Sequence, residues 1–326
     1  MPSQQPPPSL IVVGEMNTDI VISGLPHFPK SGELVNGDEL CIGPGGKSRN
    51  IAAMASVLMP QGSVAMISKT TKDRFGLWEE PLKALQQAGV DTRFVHVAAH
   101  SAANELPGFA VILVDKAGNN QIIGAPGVNR AFSPEDIDHA SELFGTVGEN
   151  HGLLACTGCS PISTLGRAIQ KARTQDISVV FDPGGADDLK ALVSLLHHGV
   201  YLCKPNEHEA QVMTGVPVTD FVSAKTAARM LQEAGAQNVL ITAGAHGAYL
   251  FSANAEKHIP VSTTLNSNVK DETGCGDQTM ATLCAYIQAG RSLEESTDIA
   301  ILSATLQFHK AGIQPVTKDE LEALST

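Results

Sequence analysis

Six short, largely apolar runs punctuate the chain, at 10–13, 63–67, 153–156, 177–181, 201–203 and 239–241. Each is bounded by turn residues and reads as a strand buried on both faces. Between them lie segments whose apolar residues recur at helical spacing, at 51–58, 81–87, 224–233 and 293–309. Helix punctuation accompanies several of these segments. Ser133-Pro134-Glu135-Asp136 supplies an N-cap serine, a proline at the first helical position and an acid at the third, while Gly89 and Gly235 stand just past helix ends. This alternation of strand and helix predicts an α/β fold, doubly wound around a mostly parallel sheet. No internal repeat and no Pro/Gly-rich linker divides it. Two stretches break the rhythm. Residues 19–42 are turn-rich, and 107–124 hold two strand-like runs, 109–115 and 120–123, joined by Lys116-Ala117-Gly118-Asn119. With no helices of their own, they predict a small separate sheet covering the main domain.

The bulk composition narrows the function classes. Of 326 residues, 43% are hydrophobic and 17% charged, the balance of an ordinary globular chain. A net charge of −12 argues against a nucleic-acid partner or an anionic membrane surface. No apolar run approaches the roughly 20 residues that span a bilayer. Residues 1–9 are rich in Pro, Gln and Ser without a basic leader, and read as a disordered tail. Six scattered cysteines fit a reduced, cytoplasmic protein better than a disulfide scaffold. The one C-x-x-C, Cys156 to Cys159, has no second pair and no histidine at ligand spacing. It reads as the end of a buried strand and the turn after it.

Candidate chemistry concentrates in Asp271-Glu272-Thr273-Gly274-Cys275-Gly276-Asp277. This polar, glycine-bearing loop runs into a helical pattern at Met280, Leu283, Cys284 and Ile287, with Gly290 as its C-terminal cap. The N–H groups of Gly274, Cys275 and Gly276 would then sit at a helix N-terminus, a natural anion site. Asp277 repels a bound anion but suits a group that deprotonates whatever attacks it. Other polar clusters follow the expected strands: 14–19, 182–185, 204–209 and 242–247. Ligands of open parallel sheets bind along that edge. The loop 43–50 carries Gly45, Gly46, Lys47 and Asn50 without the spacing of a P-loop, and only Gly14 follows the first strand, so no dinucleotide fingerprint is present.

These residues resemble the ribokinase (PfkB) family of ATP-dependent carbohydrate and nucleoside kinases. Gly45-Gly46-Lys47 with Asn50, and Asp271-x-Thr273-Gly274-x-Gly276-Asp277, carry the resemblance; Asn206-x-x-Glu209 and Thr242-x-Gly244-x-x-Gly247 extend it. Asn17-x-Asp19 and Pro126-Gly127-Val128-Asn129 look like ribokinase in particular. The resemblance implies a kinase domain over 10–326, with the strands of a small lid sheet inserted at about 17–43 and 105–127. It implies transfer of the γ-phosphate of ATP to a primary hydroxyl of ribose or a related pentose. Asp277 would be the general base, and the N–H groups of Gly274, Cys275 and Gly276 the anion hole. Asn17, Asp19, Gly46, Lys47 and Asn50 would cradle the sugar. Asn206, Thr242, Gly244 and Gly247 would contact the nucleotide. Glu209 would act through water on Mg²⁺, and Asp271 would serve a K⁺ site. Homodimerisation through the lid is a further implication. A nucleoside kinase of the same fold and a non-catalytic sensor of sugar or nucleotide are the alternatives. The chain departs from the family in several places. Thr157-Gly158-Cys159 stands where ribokinases carry a sugar-contacting glutamate, Ser48-Arg49 replaces the usual Gly-Ala, and Thr279 replaces an aromatic residue. Arg49 reads as a solvated residue at a helix start, with pairing to an anionic sugar substituent as the other reading.

Overall fold

All four side chains of β1 (Leu10–Val13) are buried, and they divide between two cores. Leu10 and Val12 pack with Met54, Met66 and Leu283. Ile11 and Val13 belong to the core that also holds Phe144, Leu165 and Leu231. Alternate residues of a strand face opposite ways, so a strand apolar at every position needs helices on both sides. Truncating a core residue such as Phe144 to alanine would cost about 3–5 kcal/mol. The computed structural model describes residues 6–99, 106–262 and 269–324.

Among the described residues twelve further strands follow: β2 (Asn17–Leu25), β3 (Glu39–Gly45), β4 (Val64–Thr71), β5 (Val95–Ala98), β6 (Gly108–Asp115), β7 (Asn120–Ala125), β8 (Leu153–Thr157), β9 (Ser178–Asp182), β10 (Val200–Cys203), β11 (Ala236–Thr242), β12 (Ala248–Phe251) and β13 (Glu256–Ile259). Nine of the thirteen form one sheet in the order β13-β12-β11-β10-β9-β8-β1-β4-β5. It is parallel from β11 to β5, and β12 and β13 add an antiparallel edge. The mostly parallel, doubly wound α/β expectation therefore holds. Of the expected 1–9 tail, residues 1–5 lie outside the described residues, but its end is held. Pro8 is buried, the Ser9 N–H donates to the Ser63 carbonyl at 2.8 Å, and the Ser9 carbonyl accepts from Leu153 at 2.9 Å. Ser9 thus continues the β1 ladder, and ordered chain begins ahead of Leu10.

The helix Cys275–Gln288 is wedged between the helices Lys47–Leu58 and Leu293–Phe308, and every residue from Asp277 to Ala285 is buried. The chain beginning at Asp277 is thus buried all round rather than presenting one apolar stripe, because helices cover both flanks.

The remaining four strands form a second sheet, in the order β3-β2-β6-β7. Residue 105, at the expected start of its second insertion, lies outside the described residues. In this register Asn17 pairs with Gly45 and Gly108, and Asp19 pairs with Gly43 and Ala110. The small neighbours leave room for the two polar side chains. A Cβ on Gly45 would lie 2.0 Å from Asp19 Oδ1, and one on Gly108 would lie 2.1 Å from Asn17 Oδ1. The opposite face pairs Ile20 with Ile42 and Val111, and Ile22 with Leu40 and Leu113. That face is aliphatic at these six positions, with Leu40 65% and Ile42 51% exposed, while the β7 partner of Leu113 is Gln121.

Candidate active site

The C-terminal ends of the parallel strands deliver their polar residues to one edge: Glu15 after β1, Thr157 at the end of β8, Asp182 at the end of β9, Lys204 after β10 and Thr242 at the end of β11. Asp277 arrives from the first turn of the helix Cys275–Gln288, whose N-cap Gly274 is left-handed at φ 77°. Lys47 and Asn50 arrive from the first turn of the helix Lys47–Leu58. A left-handed residue is also needed there: Gly46 has φ 94°, and a Cβ on it would lie 2.9 Å from the Asn17 nitrogen.

Asp277 is buried and held at both oxygens. Lys47 Nζ lies 3.2 Å from Oδ1, and Asn50 Nδ2 donates to Oδ2 at 3.0 Å. Lys47 Nζ also lies 3.1 Å from Oδ2 of Asp182, which Lys204 Nζ approaches to 2.9 Å. Burial alone would lower the Lys47 ammonium, but Asp182 and Asp277 outweigh it and hold it well above its ordinary range. Burial alone would raise Asp182, but Lys204 and Lys47 outweigh it and hold that carboxyl well below its ordinary range. A Cβ on Gly276 would sit 3.7 Å from Lys47 Nζ and 4.0 Å from Lys204 Nζ, so both ammonium groups flank the start of the Asp277 helix. Positive charge and a helix N-terminus converge here, which is the electrostatics of a phosphate site.

Of the three expected anion-hole donors, Gly274 and Gly276 have no hydrogen-bond acceptor among the described residues. The Cys275 N–H is already given to the Glu272 carbonyl at 3.2 Å. The turn that reverses the chain before the helix takes up that donor. Asp271 has both oxygens engaged, Oδ1 by the Thr273 N–H at 2.9 Å and Oδ2 by the Gly312 N–H at 2.8 Å. Against the effect of burial, these donors keep its carboxyl below its ordinary range. In this conformation Asp271 braces two loops together.

Asn206 and Glu209 form a capping box. Asn206 Oδ1 accepts from the Glu209 N–H at 2.8 Å, and Glu209 Oε2 accepts from the Asn206 N–H at 2.8 Å. The other Glu209 oxygen points at Gly184, where a Cβ would lie 3.0 Å from it and 2.8 Å from both Lys47 Cε and Asp182 Oδ1. Burial, followed by the charge of Asp182, raises the Glu209 carboxyl. One free carboxylate oxygen suits a Mg²⁺ ion that keeps most of its waters; no cluster of three or more metal-ligating side chains occurs among the described residues. Thr242 lies beside Asn206, joined by a parallel bridge and by its N–H to the Pro205 carbonyl at 3.0 Å. Gly244 and Gly247 flank a short 3-10 turn, and a Cβ on Gly247 would meet the Ile259 carbonyl at 1.9 Å.

Asn17 and Asp19 reach the same edge from β2. Asn129 fixes Asn17 by donating to its Oδ1 at 2.7 Å. Burial lifts the Asp19 carboxyl to about 6. Arg49 is 6% exposed, so the reading of a solvated helix-start residue is corrected: the helix Lys47–Leu58 begins inside the protein, and its third residue is enclosed. Where no acid follows β8, one arrives from β1. Buried Glu15 accepts from Ser48 Oγ at 2.9 Å and from Thr157 Oγ1 at 3.2 Å, and hydrogen-bonds the Cys159 thiol. Burial raises the Glu15 carboxyl, and Ser48, itself a departure from the family pattern, is its closest partner. A cavity of about 360 Å³ opens beside this group, between Asn129, Cys159, Ser160 and Leu192. Asp182, Lys204, Glu15 and Asn129 are the site residues that motif reading did not assign. The available signal was position alone, since three of them end or directly follow a buried run.

The sequence profile described as "pfkB family carbohydrate kinase" matches residues 7–319. A ribokinase of Mus musculus is 32% identical over 320 residues, covering 95% of this chain and 93% of that protein. A deoxyribokinase of Salmonella typhi is 28% identical over 310 residues, covering 94% of each. The structure of Arabidopsis thaliana ribokinase complexed with ribose and ATP superposes with a TM-score of 0.82 at 26% identity, covering 98% of this chain and 99% of that one.

Proposed function

Because the chain belongs to the pfkB family of carbohydrate kinases, we propose that it transfers the γ-phosphate of ATP to a primary hydroxyl of ribose or a closely related pentose. The observation that carries this reading is the seat of Asp277: a buried carboxylate on the first turn of a helix, between Lys47 and Asn50, with a second lysine across Asp182. Phosphoryl transfer needs little covalent chemistry from the protein and much positioning and charge stabilisation. Asp277 takes the proton of the attacking hydroxyl, whose oxygen bonds to the γ-phosphorus as the bond to the leaving ADP oxygen breaks. Lys47, Lys204 and the N–H groups of Gly274 and Gly276 face the charge that develops. Asn17, Asp19 and Asn50 hold the sugar, and Asn206, Thr242, Gly244 and Gly247 hold the nucleotide. Glu209 would hold Mg²⁺ through water, and the ion would supply neutralisation of phosphate charge. Asp271 would serve a K⁺ site, since each of its oxygens keeps lone pairs beyond the one hydrogen bond it accepts.

The small sheet acts as a lid over the sugar, and its outward aliphatic face pairs with a second copy of the chain. Nucleosides fit less well: the cavity beside Cys159 has no aromatic ring among its described lining residues to stack a base. A panel of ribose, 2-deoxyribose, other pentoses and nucleosides, each with ATP and Mg²⁺, tests the assignment. Turnover is expected on a pentose; turnover confined to nucleosides overturns it.

A further inference from the structure

Arg49 and Asp19 carry opposite charges at the junction of the small sheet and the main domain, and each acts on the other electrostatically. They do not touch, for no ion pair within 4.0 Å joins them. Arg49 is nonetheless enclosed. Its Nη1 donates to Asn50 Oδ1 at 3.2 Å, while its Nε is buried with no hydrogen-bond partner. Buried guanidinium donors are ordinarily satisfied, and an enclosed cation held off from the nearest carboxylate is costly. Burial pulls Arg49 down to about 10 and lifts Asp19 to about 6, so neither group receives full compensation from the other. Asn50 links Arg49 to the reaction centre, since its Nδ2 donates to Asp277.

A hydroxyl group is both donor and acceptor, and can serve an unpaired donor and a carboxylate at once. We propose that Arg49 is a specificity-determining residue, which donates from Nε to a secondary hydroxyl of the acceptor sugar while that hydroxyl donates its own proton to Asp19. The inference rests on the sugar-kinase reading. It assigns the substrate class more narrowly, to sugars bearing a free secondary hydroxyl at that position, and gives the buried arginine a neutral partner rather than an anionic one.

The test compares ribose with 2-deoxyribose and 3-deoxyribose on the wild-type chain, Arg49→Ala and Arg49→Met. Alanine is the residue usual at this place in the family, and methionine keeps most of the stem volume, so a folding failure in one is checked by the other. The wild type should prefer ribose over one of the two deoxy sugars by about 10- to 100-fold in kcat/KM, the strength of a hydrogen bond to a charged group. Both variants should raise KM for ribose, leave kcat within a few-fold, and shrink that preference to a few-fold. An unchanged preference in both variants, or none in the wild type, overturns the inference. Wild-type turnover of ribose reports separately on the kinase assignment, and calorimetric binding of the three sugars gives the same ratio even if none is phosphorylated.

Discussion

Lys204 Nζ lies 2.9 Å from Asp182 Oδ2, and both side chains are almost fully buried, 3% and 1% exposed. Such a pair is weak evidence for stability in itself, but breaking it strands a charge. Asp182→Asn should therefore destabilise the fold by about 3–5 kcal/mol, read by urea denaturation at neutral pH. The pH dependence follows from the direction of the shift. The folded carboxyl is held below its unfolded value, so its stabilisation is complete above about 4 and is lost as the pH falls through lower values. The wild type should lose stability in that acid range, and Asp182→Asn should lose less.

Asp277→Asn keeps the size and much of the hydrogen bonding of the side chain while removing the base. Turnover should fall by at least about 100-fold. Calorimetric affinities for ATP and sugar should stay within about tenfold, because the nucleotide loops are untouched and the cradle loses only the charge that Lys47 and Asn50 face at Asp277. A variant with wild-type turnover would point to another base.

Asp19 accepts a sugar hydroxyl most strongly when ionised, with both oxygens available and the bond assisted by charge. Burial raises its carboxyl to about 6, with Arg49 opposing and Asp277 adding to the shift. KM for the sugar should therefore rise as the pH falls through about 6, and Asp19→Asn should abolish that inflection while weakening binding at neutral pH. Steady-state kinetics from pH 5 to 8 would check both.

The aliphatic face of the small sheet carries Leu40 and Ile42, 65% and 51% exposed, and Ile123, 62% exposed. Leu40→Lys with Ile123→Lys should convert the protein to a monomer in analytical ultracentrifugation without lowering its melting temperature by more than a few degrees. A wild-type chain that sediments as a monomer at micromolar concentration would remove the basis for the proposed dimer.

The sequence reveals the main sheet well where strands are buried on both faces. The runs at 10–13, 153–156 and 239–241 fall within β1, β8 and β11. The run at 63–67 stops short of β4, which continues to Thr71, because Ser68, Thr70 and Thr71 are buried polar residues that break the apolar signal. β13, with the sequence Glu-Lys-His-Ile, is an exposed edge strand and carries no periodicity to read. Within the site, Asp277, Lys47 and Asn50 are visible as motif residues close to glycines. The Asp182–Lys204 pair is not, because a contact between residues at the ends of neighbouring strands appears only once strand order is known. Arg49 is misread for a related reason: burial at a helix start depends on what packs over it, which local sequence does not encode.

Gly45 and Gly108 flank the cradle, and a Cβ on either would fall within 2.1 Å of Asp19 or Asn17. The cradle is thus shaped partly by atoms that are missing, which has a practical consequence. An alanine scan of this protein truncates side chains almost everywhere, but at these two positions it inserts a methyl group. Scored as ordinary deletions, both would register as residues that contribute contacts, although their contribution is the room that the Asp19 and Asn17 side chains occupy.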